Sequence, residues 1–278
     1  MYGFWLFGFA FRLSGRKNST VGIPKSEIPN RKFGLHLMFS CVILILILSL
    51  PGPIPLGERG RVREKISEVP GMGLINLLFR NPLAFVLLVI PLLYSIILHE
   101  LAHGWVADKM GDGTAKWLGR LSLDPRKHLD TIGTLMLFIF GFGWARPVPV
   151  NFNNLYDFRK GLILVSAAGI VANILLAFVA LLLLRVLNPG AFGALSTFLI
   201  YMAQINIMLA AFNLIPIPPL DGSKILMGFS STRFQYSLAR LEPYGFFIII
   251  GLLWLGVLNP LISLFEWIIS GMISLILP

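Results

Sequence analysis

The chain has 278 residues, of which 56% are hydrophobic and only 13% are charged. Soluble globular domains carry roughly 25% charged residues, so this composition excludes a water-soluble globular protein and predicts a multi-pass helical membrane protein. The net charge of +10 does not indicate nucleic-acid binding, because the basic residues lie between apolar blocks, where they meet the headgroups of membrane lipid.

Five apolar blocks predict the membrane-spanning segments, at about residues 33–50, 82–106, 162–184, 194–214 and 246–277. The last block is interrupted at Asn259-Pro260 and fits one kinked helix, two half-helices or a hairpin. We therefore predict an all-α membrane protein with about five to six transmembrane helices. Residues 1–32 are expected to form an N-terminal cytoplasmic or interfacial segment, and residues 33–278 the membrane domain.

A shorter apolar block, residues 132–144, follows the second predicted span. Thirteen residues are too few to cross a hydrocarbon core of about 30 Å as a helix. The block contains three glycines and is followed by Arg146-Pro-Val-Pro-Val150. We predict a short re-entrant or β-like hairpin packed against protein, because unpaired backbone cannot face lipid. A short amphipathic surface helix is the alternative.

The distribution of basic residues predicts the orientation. Seventeen of the 23 Lys and Arg residues lie before the first span, between residues 107 and 160, or after the fourth span. These regions share one side of the membrane, which the positive-inside rule makes cytoplasmic. We therefore expect a multi-pass protein of the cytoplasmic membrane with a cytoplasmic N-terminus.

The second predicted span carries the sequence His99-Glu-Leu-Ala-His103. On a helix, residues four apart lie on one face, so both imidazoles can bind one Zn²⁺ while Glu100 reaches a water molecule on the metal. This is the H-E-x-x-H pattern of metalloproteases. Charged groups inside a spanning helix are costly, which also favours a functional site over a helix end with satisfied histidines.

A catalytic zinc site usually has three protein ligands, so a third is expected elsewhere. Asp221 follows a proline-rich interruption of the fourth span, in Asn213-Leu-Ile-Pro-Ile-Pro-Pro-Leu-Asp221-Gly222. The second and fourth spans run in the same direction, so this motif and His99–His103 can meet near the cytoplasmic side. The other candidates are two histidines and four aspartates: His36, His128, Asp108, Asp112, Asp124 and Asp130.

With these two motifs in this order, the chain resembles the site-2 proteases, intramembrane zinc metalloproteases, and in particular their compact prokaryotic members without a PDZ or CBS domain. The resemblance covers roughly residues 80–245. It implies that one zinc ion per chain is held by His99, His103 and Asp221, and that Glu100 is the general base. It also implies catalytic roles for two asparagines near the site, Asn213 and Asn173.

The resemblance implies hydrolysis of peptide bonds within or near transmembrane segments of membrane protein substrates. Such a substrate must unwind locally, because helical carbonyls are hydrogen-bonded, and the Arg146–Val150 element could pair with the unwound strand. Two alternatives stay open. A metal-ion transporter would use the same ligands but would not need Glu100, and an inactive protease-like scaffold would only bind membrane partners.

Overall fold

The structure, a computed structural model, describes residues 74–140, 145–188 and 193–277. Within these ranges the chain is helical and contains no β-strand; an isolated antiparallel bridge joins Leu129 and Ala145. Five helical segments of this described part are long and apolar enough to cross a membrane: Pro82–Lys109, Phe158–Leu187, Ala194–Asn213, Thr232–Trp254 and Asn259–Ile276. The predicted all-α multi-pass architecture is confirmed. The span predicted at residues 33–50 and the segment 1–32 lie outside the described residues.

The helices are named here in chain order. They are α1 (Leu74–Arg80), α2 (Pro82–Lys109), α3 (Thr114–Trp117), α4 (Thr131–Phe140), α5 (Phe158–Leu187), α6 (Ala194–Asn213), α7 (Asp221–Phe229), α8 (Thr232–Leu241), α9 (Gly245–Trp254) and α10 (Asn259–Ile276), with 3₁₀ turns at Pro125–Lys127, Phe152–Asn154 and Glu242–Tyr244.

Helix α2 has a well-defined start. Asn81 accepts a hydrogen bond from the Ala84 backbone N–H at 3.0 Å, and Pro82 occupies the first turn, where an N–H would have no helical partner. The helix continues to Lys109, beyond the end predicted near residue 106. His99 and His103 therefore lie inside a continuous helix rather than at its end.

Helix α5 is the central helix of the described part and contacts α2, α6 and α7. Lipid tails are as apolar as leucine, so membrane helices associate through close packing of small residues rather than through exclusion from water. Helix α5 follows this rule, since Gly169, Ala177 and Ala180 are among its buried residues. This close approach brings the backbone of α5 against the two histidines of α2.

The block predicted to form a re-entrant or β-like hairpin is helical where it is described, as α4. Asp130 accepts a hydrogen bond from the Gly133 N–H at 2.9 Å at the start of this helix. Residues 141–144 lie outside the described ranges, and the chain then continues without helix from Ala145 to Asn151. The hairpin is not confirmed, and the described part has the helical form of the alternative interpretation.

The last apolar block forms two helices, α9 and α10. The turn between them contains Gly256 at φ +70°, a left-handed conformation that glycine adopts without strain, and Pro260 lies in the first turn of α10. Helix α9 begins directly against the proline-rich segment, because a Cβ on Gly245 would lie 2.3 Å from the Pro218 carbonyl oxygen. The last block is thus divided into two helices at this turn, and each lies in a segment long and apolar enough to cross a membrane.

Candidate metal centre

Two imidazoles project from one face of helix α2. The Nε2 atoms of His99 and His103 are 2.9 Å apart, and the rings meet edge to face with their centroids 4.5 Å apart. Each residue is only 8% exposed. As the sequence predicted, the spacing of four residues places both rings on one side of the helix.

Asp221, the first residue of α7, reaches the same point from another part of the chain. Its Oδ2 atom is 3.3 Å from His99 Nε2 and 3.2 Å from His103 Nε2. The neighbouring Gly222 allows this approach, because a Cβ there would lie 2.3 Å from the Leu214 carbonyl oxygen. The proline-rich interruption after α6 therefore turns the chain back tightly enough to aim Asp221 at the histidines.

These three side chains fit a zinc ion. Ligands at 2.0–2.1 Å in a tetrahedron lie about 3.3 Å from one another, close to the observed separations. The Nδ1 atom of His103 donates to the Val165 carbonyl oxygen at 2.6 Å, which leaves the lone pair of Nε2 free for a metal. Lone pairs and a carboxylate oxygen that converge in a buried place repel one another unless a cation lies between them.

Glu100 lies beside this cluster but is not part of it. It borders a cleft whose lining also includes His103, Asp221, Val148 and Lys224. Its Oε2 atom accepts a hydrogen bond from the Val148 backbone N–H at 3.0 Å. A carboxylate thus faces the space next to the three candidate ligands, as a group that exchanges protons with a bound water molecule would.

The 145–151 segment, which carries Val148, is fixed by several contacts. Arg120 donates to the carbonyl oxygens of Arg146 at 2.8 Å and Pro147 at 3.0 Å. The Arg146 N–H donates to the His128 carbonyl oxygen at 2.6 Å. Burial, and then the charge of Arg146, lower the pKa of the Arg120 guanidinium.

Asp112 holds the C-terminal end of the 145–151 segment through hydrogen bonds. This residue is fully buried, and its Oδ2 atom accepts from the Asn151 N–H at 2.6 Å. Its Oδ1 atom accepts from the Asn154 side-chain amide at 2.9 Å and from the Thr114 N–H at 3.2 Å. The loop after α2 and the chain that leads into α5 are therefore joined through one carboxylate.

The two asparagines singled out from the sequence differ in their surroundings. Asn213 donates its Nδ2 to the Leu209 carbonyl oxygen at 2.9 Å, within its own helix α6, and it is not among the residues that line the cleft. Asn173 is fully buried, and neither its Nδ2 nor its Oδ1 atom has a hydrogen-bond partner among the described residues.

The remaining sequence candidates for a metal ligand do not join the cluster where they are described. His36 lies outside the described residues. The others are engaged elsewhere: the His128 ring contacts the Ser122 carbonyl oxygen at 2.7 Å, Asp108 pairs with Lys116, Asp112 binds Asn151, and Asp124 and Asp130 accept from backbone N–H groups at Arg126 and Gly133.

Sequence reasoning did not single out Lys224 as a cleft residue. It is only 6% exposed, and its Nζ atom lies 5.7 Å from the ring centroid of Phe152. It is three residues after Asp221 on helix α7, so helical spacing could have placed it on the same face. The sequence likewise did not show that Arg120 and Asp112 hold the 145–151 segment, because their partners lie 26 to 39 residues away along the chain.

Comparison with known proteins identifies the family. The family model described as "Peptidase family M50" matches residues 188–256. YwhC of Bacillus subtilis, named as a candidate zinc metalloprotease, is 42% identical over 187 residues, which cover 65% of this chain and 84% of YwhC. Rip2 of Mycobacterium tuberculosis, named in the same way, is 30% identical over 215 residues, which cover 75% of this chain and 82% of Rip2.

A further relative with the same kind of name, from Methanocaldococcus jannaschii, is 32% identical over 170 residues, which cover 59% of this chain and 83% of the relative. No solved structure matches the chain with statistical significance. The extent and identity of these matches confirm the resemblance that the two motifs indicated. The chain belongs to peptidase family M50, the site-2 protease family.

Proposed function

We propose that this protein is an intramembrane zinc endopeptidase that hydrolyses peptide bonds within or near transmembrane segments of membrane proteins. The observation that carries the proposal is the convergence of His99, His103 and Asp221 on one point, next to a cleft that Glu100 borders. Both histidines lie on a helix long and apolar enough to cross a membrane. Family membership supports the same conclusion.

In this proposal, His99, His103 and Asp221 hold one zinc ion. Zinc supplies Lewis acidity and lowers the pKa of bound water to about 7. Glu100 takes a proton from the attacking water and delivers it to the leaving amine nitrogen. The Val148 N–H, which donates to Glu100 Oε2, keeps this carboxylate oriented towards the cleft.

Catalytic roles for Asn213 and Asn173 remain proposals with different support. Neither residue lines the cleft. One amide hydrogen of Asn213 is engaged with the Leu209 carbonyl oxygen of its own helix, so the second amide hydrogen and the Oδ1 atom are the groups it would offer to a substrate. The amide of Asn173 is unengaged among the described residues, which leaves it free to support the metal site from within α5.

The 145–151 segment supports the proposal that an unwound substrate pairs with this part of the chain. Pro147 and Pro149 have no N–H group, and the Arg146, Val148 and Asn151 N–H groups are engaged within the protein. Two backbone N–H groups of this described segment make no hydrogen bond, those of Ala145 and Val150, and of these two residues Val150 alone borders the cleft. Because Val150 also lines the cleft, its N–H could donate to a substrate carbonyl in the manner of an added strand.

We further propose that the site opens towards the cytoplasmic side of the cell membrane and that the N-terminus is cytoplasmic. The support is the excess of Lys and Arg in the sequence that precedes the first predicted span, between α2 and α5, and after α6. The proposed partners are membrane lipid and a transmembrane protein substrate. The proposed metalloprotease core is about residues 80–245 of a membrane domain formed by residues 33–278, with residues 1–32 as a cytoplasmic or interfacial segment.

The deciding experiment compares wild type with Glu100→Gln for zinc content and for cleavage of a model transmembrane substrate in detergent. Glutamine keeps the shape of the side chain but cannot take the proton. We expect about one zinc per chain in both proteins and cleavage by wild type alone. If Glu100→Gln cleaves at the wild-type rate, Glu100 is not the base. If wild type binds no zinc, the ligand assignment is wrong.

A further inference from the structure

The two candidate histidine ligands differ in how they are supported. His103 donates its Nδ1 proton to the Val165 carbonyl oxygen of helix α5 at 2.6 Å. The Nδ1 atom of His99 is buried and has no hydrogen-bond partner among the described residues. Histidines that bind metals almost always donate their second ring N–H to an oxygen atom, which fixes the tautomer and the ring orientation. His99 therefore needs an acceptor that no backbone carbonyl in the described part of the chain supplies.

Asn173 is a buried amide with the complementary need. It is 0% exposed, and both amide atoms lack a partner among the described residues. Most buried polar side-chain atoms in native proteins are hydrogen-bonded, to protein or to ordered water. An amide left completely unpaired among membrane helices would cost several kilocalories per mole, so its position calls for an explanation.

The register of the two packed helices predicts that Asn173 lies near the height of the His99 ring. Helices α2 and α5 are antiparallel here, because Val165 contacts His103 whereas Gly169, one turn later, packs against both rings. Asn173 lies one further turn along α5, in the direction that leads from His103 past His99. Side chains on a helix lean towards its N-terminus, so the Asn173 amide leans back towards Gly169 and the His99 side chain leans away from His103, to the same height.

We propose that Asn173 is a positioning residue for His99. The Nδ1–H of His99 donates to one buried water molecule, which in turn donates to Asn173 Oδ1, and this leaves the lone pair of His99 Nε2 directed at the metal. A buried water needs about three polar partners, and the His99 Nδ1 donor, the Asn173 oxygen and the Asn173 amide nitrogen supply them. Helix α5 then supports both ligands of α2, through Val165 for His103 and through Asn173 for His99.

The inference rests on the metal site proposed above, but its test needs no substrate. Zinc affinity is measured by chelator competition in detergent for wild type, Asn173→Leu and Asn173→Asp. Leucine has the same branched shape and number of side-chain heavy atoms but no polar atom, so we expect roughly 10- to 100-fold weaker zinc binding, as for the loss of other groups that orient a metal ligand. Aspartate keeps an acceptor oxygen at the same place and should bind zinc at least as tightly as wild type.

Asn206 provides the matched control. It is also fully buried, on α6, but its Nδ2 donates to Ser95 Oγ and to the Met202 carbonyl oxygen, both at 2.7 Å. Asn206→Leu should therefore lower the melting temperature while zinc affinity stays at the wild-type value. The visible absorption of the Co²⁺-loaded protein gives a second readout: Asn173→Leu should change its band positions, and Asn206→Leu should not.

The outcomes separate the alternatives. Wild-type zinc affinity in folded Asn173→Leu overturns the positioning role, as does an equal loss in Asn206→Leu, which would indicate general packing damage. If Asn173→Leu does not fold, Asn173→Ala replaces it with the same expected loss. His99→Ala tests the ligand itself: a large loss there, with no change in the Asn173 variants, overturns the positioning role and leaves the proposed function intact.

Discussion

The backbone N–H of Val148 donates a hydrogen bond to Glu100 Oε2 at 3.0 Å, across 48 residues of sequence. Glu100 belongs to membrane helix α2, whereas Val148 belongs to the 145–151 segment. The proposed general base and the proposed substrate-binding segment are therefore physically attached. A change in the position of one is expected to alter the position of the other.

Replacing Val148 by proline should impair catalysis without removing zinc. Proline has no N–H, so Glu100 loses a hydrogen bond to a charged group, worth about 1.5–3 kcal/mol, and kcat should fall by roughly 10-fold or more. The measurement is steady-state cleavage together with zinc content. Val148→Ala is the control, because it shortens the side chain and keeps the N–H. An unchanged kcat in Val148→Pro would show that the bond does not orient Glu100.

Replacing Val150 by proline should weaken binding of a helical substrate. It removes the backbone N–H that we propose donates to the unwound strand, so KM should rise roughly 5- to 10-fold at the cost of one ordinary hydrogen bond, while zinc content stays constant. Val150→Ala is the matched variant. The pairing hypothesis fails if Val150→Pro and Val150→Ala have the same KM.

Adding a methyl group at Gly169 should prevent metal binding. A Cβ there would lie 2.5 Å from His103 Nε2 and 2.6 Å from His99 Cε1, too close for either ring to keep its place. We expect Gly169→Ala to lose most of its zinc and all detectable cleavage, as measured by metal analysis and substrate assay.

Gly251→Ala is the control for this prediction. Gly251 also lies in a membrane helix, but an added Cβ would meet no atom within 4 Å. Alanine is the better helix former by about 1 kcal/mol, so this variant should be as stable as wild type or more so. Full zinc occupancy in Gly169→Ala would contradict the observed packing of α5 on the imidazoles.

Asp112→Asn should destabilise the 145–151 segment and lower activity while leaving the metal site filled. The NH₂ group of the new asparagine would face the Asn151 N–H or the Asn154 amide, which are themselves donors. At least one buried donor would then lose its acceptor, which lowers the free energy of unfolding by about 1–3 kcal/mol. The melting temperature and kcat should both fall. Asp124→Asn, a change at an exposed turn, should alter neither. Wild-type stability in Asp112→Asn would show that this carboxylate does not hold the segment.

Helices α2, α5 and α6 and the pair of histidines could be predicted from local pattern alone. A run of apolar residues in lipid has to form a helix, because no other single-segment structure satisfies its backbone hydrogen bonds, and a spacing of four places His99 and His103 on one face. The motif around Asp221 added a third candidate ligand by resemblance, and the structure places the Oδ2 atom of Asp221 beside both imidazoles.

Other features depended on contacts between distant parts of the chain. The block 132–144 was compatible with a hairpin or a helix, since thirteen apolar residues contain no signal that separates them, and the described part is helical. The link from Val148 to Glu100 and the buried carboxylate of Asp112 join residues 39 to 48 positions apart. Sequence periodicity reports only neighbours within a turn or two, so local pattern determined the helices and the histidine face. The packing of α5 and the folding back of the chain at Asp221 decided which atoms meet there.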